Sequence, residues 1–118
     1  MATRTNTVTP IPHYGDKAHV LTWSGLLNGD DGSPVEMPGS ADRSVQFTGT
    51  FGAGGTIVFE GSNDGTNYVT LTDPQGNTIS KTAAALEAVV ELTRYVRPRV
   101  TAGDGSTDLV ASLLVKRN

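Results

Sequence analysis

The chain has 118 residues, a formal net charge of −3 and no cysteine; that length fits one domain, and the missing thiol removes disulfides, thiolate zinc sites and cysteine nucleophiles. Fourteen Gly, 16 Thr and 12 Val against 2 Met and 1 Trp favour short strands and tight turns over a helical bundle. The acidic balance is the wrong sign for a dedicated nucleic-acid binder, and no apolar run approaches the roughly 20 residues that cross a bilayer, so no nucleic acid and no membrane is expected as a partner.

Residues 1–16 are polar and Thr-rich, broken by Pro10 and Pro12 and closed by Gly15-Asp16. Thr3, Thr5, Thr7 and Thr9 alternate as an extended chain does, but apart from Val8 the alternation gives no apolar face to bury before Ile11. The segment reads as an N-terminal arm that either frays or orders against another subunit. It also lacks the hydrophobic stretch of an export signal. The body, 17–118, starts with a strand in which His19, Leu21, Trp23 and Leu27 share one parity. Residues 28–42 hold three Gly, two Pro and four carboxylates, the composition of a long surface loop with turns at Asp31-Gly32 and Pro38-Gly39.

Residues 44–51 and 56–61 alternate again, Val45 and Phe47 on one face, Ile57 and Phe59 on another, joined by Gly52-Ala53-Gly54-Gly55. That pair predicts a hairpin. Residues 68–72 place Val69 and Leu71 on one face, and 78–82 read as a short edge strand. The turns between these segments recur about every ten residues, the rhythm of a sandwich. Residues 83–94 fit either a short helix, through Leu86, Val89, Val90 and Thr93, or an extended segment. In 94–101, Val96 and Val100 oppose Tyr95, Arg97, Arg99 and Thr101, while Pro98 predicts an edge or a bulge because it has no N–H to donate. The final strand, 108–116, is apolar on both faces and is expected to be central or covered. The fold class expected is an all-β antiparallel sandwich, jelly-roll-like, with an extended arm and room for one short helix. Its expected core is Leu21, Trp23, Val45, Phe47, Ile57, Phe59, Leu71, Val96, Val100, Leu109, Leu113 and Val115.

Catalytic groups are scarce. His13 and His19 are the only histidines, and neither has a carboxylate or second imidazole at a short regular spacing. The glycine run lacks the Lys and Ser or Thr of a phosphate loop. Asp30-Asp31-Gly32, Asn63-Asp64-Gly65 and Asp104-Gly105 are turn chemistry without the ligand series of an EF-hand. No enzyme, no metal and no cofactor is expected. Arg94, Arg97 and Arg99 form the remaining constellation, with Arg97 and Arg99 on one side of a strand beside Tyr95. Guanidiniums so placed engage carboxylates, either internally at Glu87, Glu91 or Asp108 or across a protein interface. The candidate interface is therefore Thr3, Thr5, Thr7, Val8 and Ile11 of the arm with Tyr95, Arg97 and Arg99 of the strand.

Leu, Ile, Val and Phe together number 27, close to the least that supports an independent core, which hints at assembly. Two stretches then carry a resemblance: Glu60-Gly61-Ser62, Asp64-Gly65 and Tyr68, followed by Tyr95 to Pro98 and Gly103 to Gly105. This pattern, over residues 44–117, resembles the small jelly-roll capsid decoration or cementing proteins of tailed bacteriophages. The resemblance implies a non-enzymatic virion structural protein, assembled in the cytoplasm of an infected bacterial host. It would bind the major capsid protein on the capsid exterior at capsomer junctions, as a homo-oligomer with a trimer favoured over a dimer. Similar sandwiches also serve as tail or neck proteins and as carbohydrate-binding or host-adhesion modules. The glycan reading needs an aromatic platform from Trp23, Tyr68, Tyr95 or Tyr14.

Overall fold

The computed structural model describes residues 1–36, 38–40 and 42–117. Twelve strand segments build two sheets, and no helix occurs among the described residues. The first sheet contains β1 (Thr3–Arg4), β4 (Asp31–Gly32), β5 (Val35–Glu36), β7 (Thr56–Ser62), β8 (Val69–Thr70), β9 (Ser80–Lys81) and β11 (Tyr95–Ala102). Its path is β1-β4-β11-β7-β8, with β5 also on β11 and β9 also on β7. The second sheet is antiparallel throughout: β2 (Asn6–Pro10), β3 (Ala18–Leu26), β6 (Asp42–Thr50), β10 (Ala85–Val89) and β12 (Asp108–Lys116), in the order β10-β6-β12-β3-β2. The molecule is the all-β, jelly-roll-like sandwich that the alternating segments imply.

Period-two alternation drives the layering. Trp23, Phe47, Phe59, Ile57, Leu109 and Leu113 are fully buried between the sheets, and all twelve expected core residues are buried. Leu26, Val35, Ile79, Val89 and Ala111 complete the core. The Trp23 and Phe59 rings meet edge to face, centroids 6.4 Å apart, the arrangement their quadrupoles prefer. Gly32 lets the Trp23 ring and Pro98 pack directly on its backbone. A Cβ there would lie 2.6 Å from Trp23 Cδ1 and 2.7 Å from Pro98 Cδ, while Trp23 Nε1 donates to the Ser33 carbonyl at 3.0 Å.

Several local expectations are corrected. Residues 44–61 are not a hairpin, because β6 joins the second sheet and β7 the first; the Gly52–Gly55 turn carries the chain between layers. Leu26 rather than Leu27 faces inward, because Gly25 adopts φ +64° and inserts an extra residue where the β3–β12 register shifts, a bulge that flips side-chain parity. The 28–42 segment is not simply a surface loop, since Asp31-Gly32 is a buried strand and Val35–Glu36 another; Met37 and Ala41 lie outside the described residues. Val69 is exposed although Leu71 is buried, because β8 stops at Thr70 and Val69 lines an open cleft. Residues 85–89 resolve the helix-or-strand alternative as a strand paired to β6.

Pro98 lies inside its sheet, not at an edge. It opposes Phe59, whose N–H and C=O bond Ile79 and Leu71 on the far side of β7. The Pro98 nitrogen therefore turns toward β4 and β5, into the interval between the Val96–Val35 and Arg99–Asp31 pairs, where no ladder bond is lost. The closing strand β12 is central in its sheet, as its two apolar faces require.

Candidate functional site

Arg97 and Arg99 project from the outer face of the seven-stranded sheet, and β11 sets both against Glu60 of β7, the residue directly opposite Arg97. Arg97 Nε donates to Glu60 Oε1 at 2.7 Å and Arg99 Nε to Oε2 at 3.1 Å. A second carboxylate, Asp31 of β4, lies 3.4 Å from the Arg97 guanidinium and accepts from Thr3 Oγ1 at 2.7 Å. The Arg97 guanidinium also covers the Tyr68 ring, 3.8 Å from its centroid, a cation–π stack. Burial pushes the Tyr68 hydroxyl up, and that hydroxyl has no hydrogen-bond partner among the described residues. Beside this cluster Arg94 pairs with Glu36 and stacks on Tyr95 at 5.1 Å. The internal carboxylates are thus Glu60, Asp31 and Glu36 rather than Glu87, Glu91 or Asp108.

The N-terminal candidates divide between the two layers. Thr3 pairs with Asp31 in a parallel ladder, Thr7 and Val8 pair with Thr22 and Leu21 of β3, and exposed Thr5 falls between β1 and β2. Buried Asp30 holds the crossing: its carboxylate accepts from the Ala2 N–H at 2.9 Å, Arg4 Nε at 2.9 Å and the Leu27 N–H at 3.0 Å. Burial alone would raise its pKa, but the bonds from Leu27, Arg4 and Ala2 outweigh it and hold the carboxyl below its ordinary value. Ile11 lines a hollow of about 240 Å³ with Tyr14, Ala18, Leu114 and Lys116. Thr3, Tyr95, Arg97 and Arg99 therefore share one side of the molecule, whereas Thr7 and Ile11 belong to the other layer.

The opposite outer face, on the five-stranded sheet, has a different chemistry. Register places Leu86, Gln46, Ser112, Thr22 and Thr7 in one row across all five strands and Ala88, Ser44, Leu114, Val20 and Thr9 in the next. Neither row contains a charge. A separate open cleft of about 260 Å³ at the edge of the sandwich is lined by Asn63, Asn67, Thr70, Glu91 and Thr93 around Val69.

The Asp-Gly turns serve the fold. Asp64 accepts from Ser62 Oγ, the Thr66 and Asn67 N–H groups and Asn67 Nδ2, each at 2.8 Å, bonds that hold its carboxyl well below the ordinary range. Asp104 reaches across to the Ala53 N–H at 3.0 Å, tying the β11–β12 turn to the β6–β7 turn. Among the described residues no group of three His, Cys, Asp or Glu could hold a metal ion, and no helix is long and apolar enough to cross a membrane.

No protein-family model matches the chain, and no curated protein matches it. Among solved structures, the chain is similar to the SPBc2 prophage-derived protein YomS, with a TM-score of 0.55 at 13% identity over 83% of this chain and 93% of that one. KdgF from Halomonas sp. (TM-score 0.43, 10% identity, 96% and 78% covered) and the K1 cleaved adhesin domain of Lys-gingipain from Porphyromonas gingivalis W83 (0.44, 11%, 98% and 85%) are more distant. At such identity the likeness to the prophage-derived protein is one of fold: the two chains share a β-sandwich over most of their lengths.

Proposed function

We propose that the chain is a non-enzymatic structural module of a tailed-phage particle, seated on neighbouring subunits through its sheet faces. Its place is either the capsid exterior at capsomer junctions, with the major capsid protein as partner, or the neck and tail. One observation carries this reading. The charged groups around β11 are spent on carboxylates of the same chain, which stiffens one layer, while the other layer presents a broad uncharged face of the kind found at interface cores. The sandwich shared with a prophage-derived protein supports the same assignment, as does the pattern around Glu60 and Tyr95.

Such a module acts by multiplicity. When several copies, or several contacts of one copy, engage a particle together, weak individual contacts gain a high effective concentration. The decisive experiment is co-sedimentation with undecorated capsids and, separately, with purified neck and tail assemblies. Retention by one of them, saturating at a fixed copy number, is the expected result. Failure to associate with either overturns the reading.

The cleft around Val69 favours a second reading, a glycan-binding or host-adhesion module, because the amide, hydroxyl and carboxylate groups in its lining suit sugar hydroxyls. That cleft has no aromatic platform beside it, however: Trp23 is fully buried, Tyr68 and Tyr95 each stack on a guanidinium, and exposed Tyr14 lines the separate hollow with Ile11 and Leu114. Retention on immobilised polysaccharide, lost on Asn67→Ala, without particle binding would transfer the assignment.

A further inference from the structure

The uncharged face of the five-stranded sheet is open in the single chain. Leu86 and Leu114 on it are 61% and 41% exposed, and the hollow beside Leu114, lined by Ile11 and Tyr14, extends its apolar area. Charges enter only at the strand ends. On β12 the outward side carries Asp108 at one end and Lys116 at the other, both exposed. Among the described residues neither forms an ion pair within the chain.

We infer that this face binds a second copy of the chain, sheet on sheet, about a two-fold axis that lies in the face and crosses the strands at Ser112. The charges select the axis. A crosswise two-fold runs each β12 antiparallel to its counterpart, so that Asp108 of either copy meets Lys116 of the other and two equivalent ion pairs close the ends. A two-fold along the strands would instead oppose Asp108 to Asp108 and Lys116 to Lys116. Asp42, beside Lys116 in the ladder, then faces Thr50 and meets no like charge, since Thr50 pairs with Asp108. The axis row matches itself, Gln46 amide against Gln46 amide and Ser112 against Ser112, groups that both donate and accept. Stacked sheets keep their strands within about 30° of each other, an offset that the flexible lysine stem absorbs at the ends.

The area suffices. Three strands of nine residues and two of five, at about 3.4 Å rise per residue and about 4.8 Å between strands, give roughly 600 Å² per copy. That is about 1,200 Å² in total, the lower bound of specific interfaces. The inference concerns two copies of this chain alone, and it gives to the second copy the uncharged face that the proposed function offers to neighbouring subunits, so a dimer meets a particle through its two outward seven-stranded sheets and its edges.

Light scattering and sedimentation equilibrium on the full chain should give twice the 12.3 kDa chain mass. Ser112→Arg and Gln46→Arg each set like charges against themselves on the axis, and each should weaken association about tenfold or more, with circular dichroism unchanged. Gln46 is exposed, so its variant keeps the test open if Ser112→Arg fails to fold. Asp108→Lys and Lys116→Asp should each weaken the dimer, and the double exchange should restore it. A wild-type mass of one or three chains overturns the inference. So does a Gln46→Arg protein that remains fully dimeric, a double exchange that recovers nothing, or loss of the dimer on Thr101→Arg, which alters the opposite layer.

Discussion

Replacing Glu60 by Gln tests whether the arginines of β11 belong to the fold. The Glu60 side chain is 3% exposed and receives Nε donors from both Arg97 and Arg99. Glutamine keeps the shape, removes the charge and leaves two guanidiniums facing each other. Removing one partner of a fully buried ion pair costs about 3–5 kcal/mol. Here the charges left behind are Arg97, 21% exposed with Asp31 still at 3.4 Å, and Arg99, 43% exposed; partial hydration brings the expected cost to about 2–4 kcal/mol. Arg97→Ala, which loses Glu60, Asp31 and the Tyr68 stack together, should cost about 2–3 kcal/mol, and the solvent-screened Arg99→Ala about 1 kcal/mol or less. Urea unfolding monitored by circular dichroism reads these as shifts in midpoint at constant slope, and a loss of 3 kcal/mol lowers Tm by about 10 °C. The ordering is the sharp part. Arg99→Ala as costly as Glu60→Gln, or Glu60→Gln within about 0.5 kcal/mol of wild type, would refute the reasoning and return the guanidiniums to the list of free contact groups.

Phe59→Ala, at a fully buried ring packed on Trp23, should cost about 3–5 kcal/mol and alter the fluorescence of the single tryptophan; an unchanged midpoint would place that ring outside the core. The Asp104 carboxyl is lowered from its ordinary 3.8 to about 2 by the Ser106 hydroxyl and by the Ala53 and Ser106 N–H groups. A depressed folded-state pKa contributes stability above the unfolded value, lost as pH falls through the folded one. Stability should therefore decline from pH 4 towards pH 2, and Asp104→Asn should flatten that limb in acid titrations of the unfolding midpoint. Asp30→Ala removes the acceptor for Ala2, Arg4 and Leu27, so hydrogen exchange at Asn6–Pro10 should accelerate while β12 stays protected; equal protection of β2 in the variant would show that ladder bonds alone hold the segment.

Alternation made the core legible. Strands β11 and β12 bury every second residue over most of their length, and all twelve core positions read from alternation are buried, although in β7 Val58 and Glu60 are buried along with Ile57 and Phe59. Where the backbone departs from regular pleating the reading slipped, as at Gly25, whose positive φ moved Leu26 inward in place of Leu27. Long-range pairing was the second blind spot. Asp30 and Asp31 have the composition of a turn, and their burial is made tolerable largely by distant partners: the Ala2 N–H and Arg4, 26 residues away, for Asp30, and Thr3 and Arg97 for Asp31. Glu60 sits in an apolar run where a carboxylate is out of place, a signal that it has a partner, but the register that makes Arg97 that partner is a property of the sheet. The division of the outer surface into a charged face and an uncharged one has the same origin, since it emerges only when five separate strands are laid side by side.

Strand direction in the five-stranded layer sets how the molecule bears load. β2 and β12 both lie antiparallel to β3, which separates them, so they run in the same direction, with Asn6 level with Ala111 and Pro10 level with Val115. The amino end leaves from one side of the sheet and the carboxyl end from the other. Tension applied between the termini first strips the short Thr3–Arg4 ladder and the Asp30 contacts, then pulls β2 and β12 along their own axes in opposite senses. In that shear geometry the cross-strand bonds stretch together and must fail together, whereas a pull at the β10 edge opens them one after another. Forced unfolding is governed by the barrier rather than by the equilibrium stability, so resistance to stretching here follows from the direction of the strands and is separable from the melting temperature.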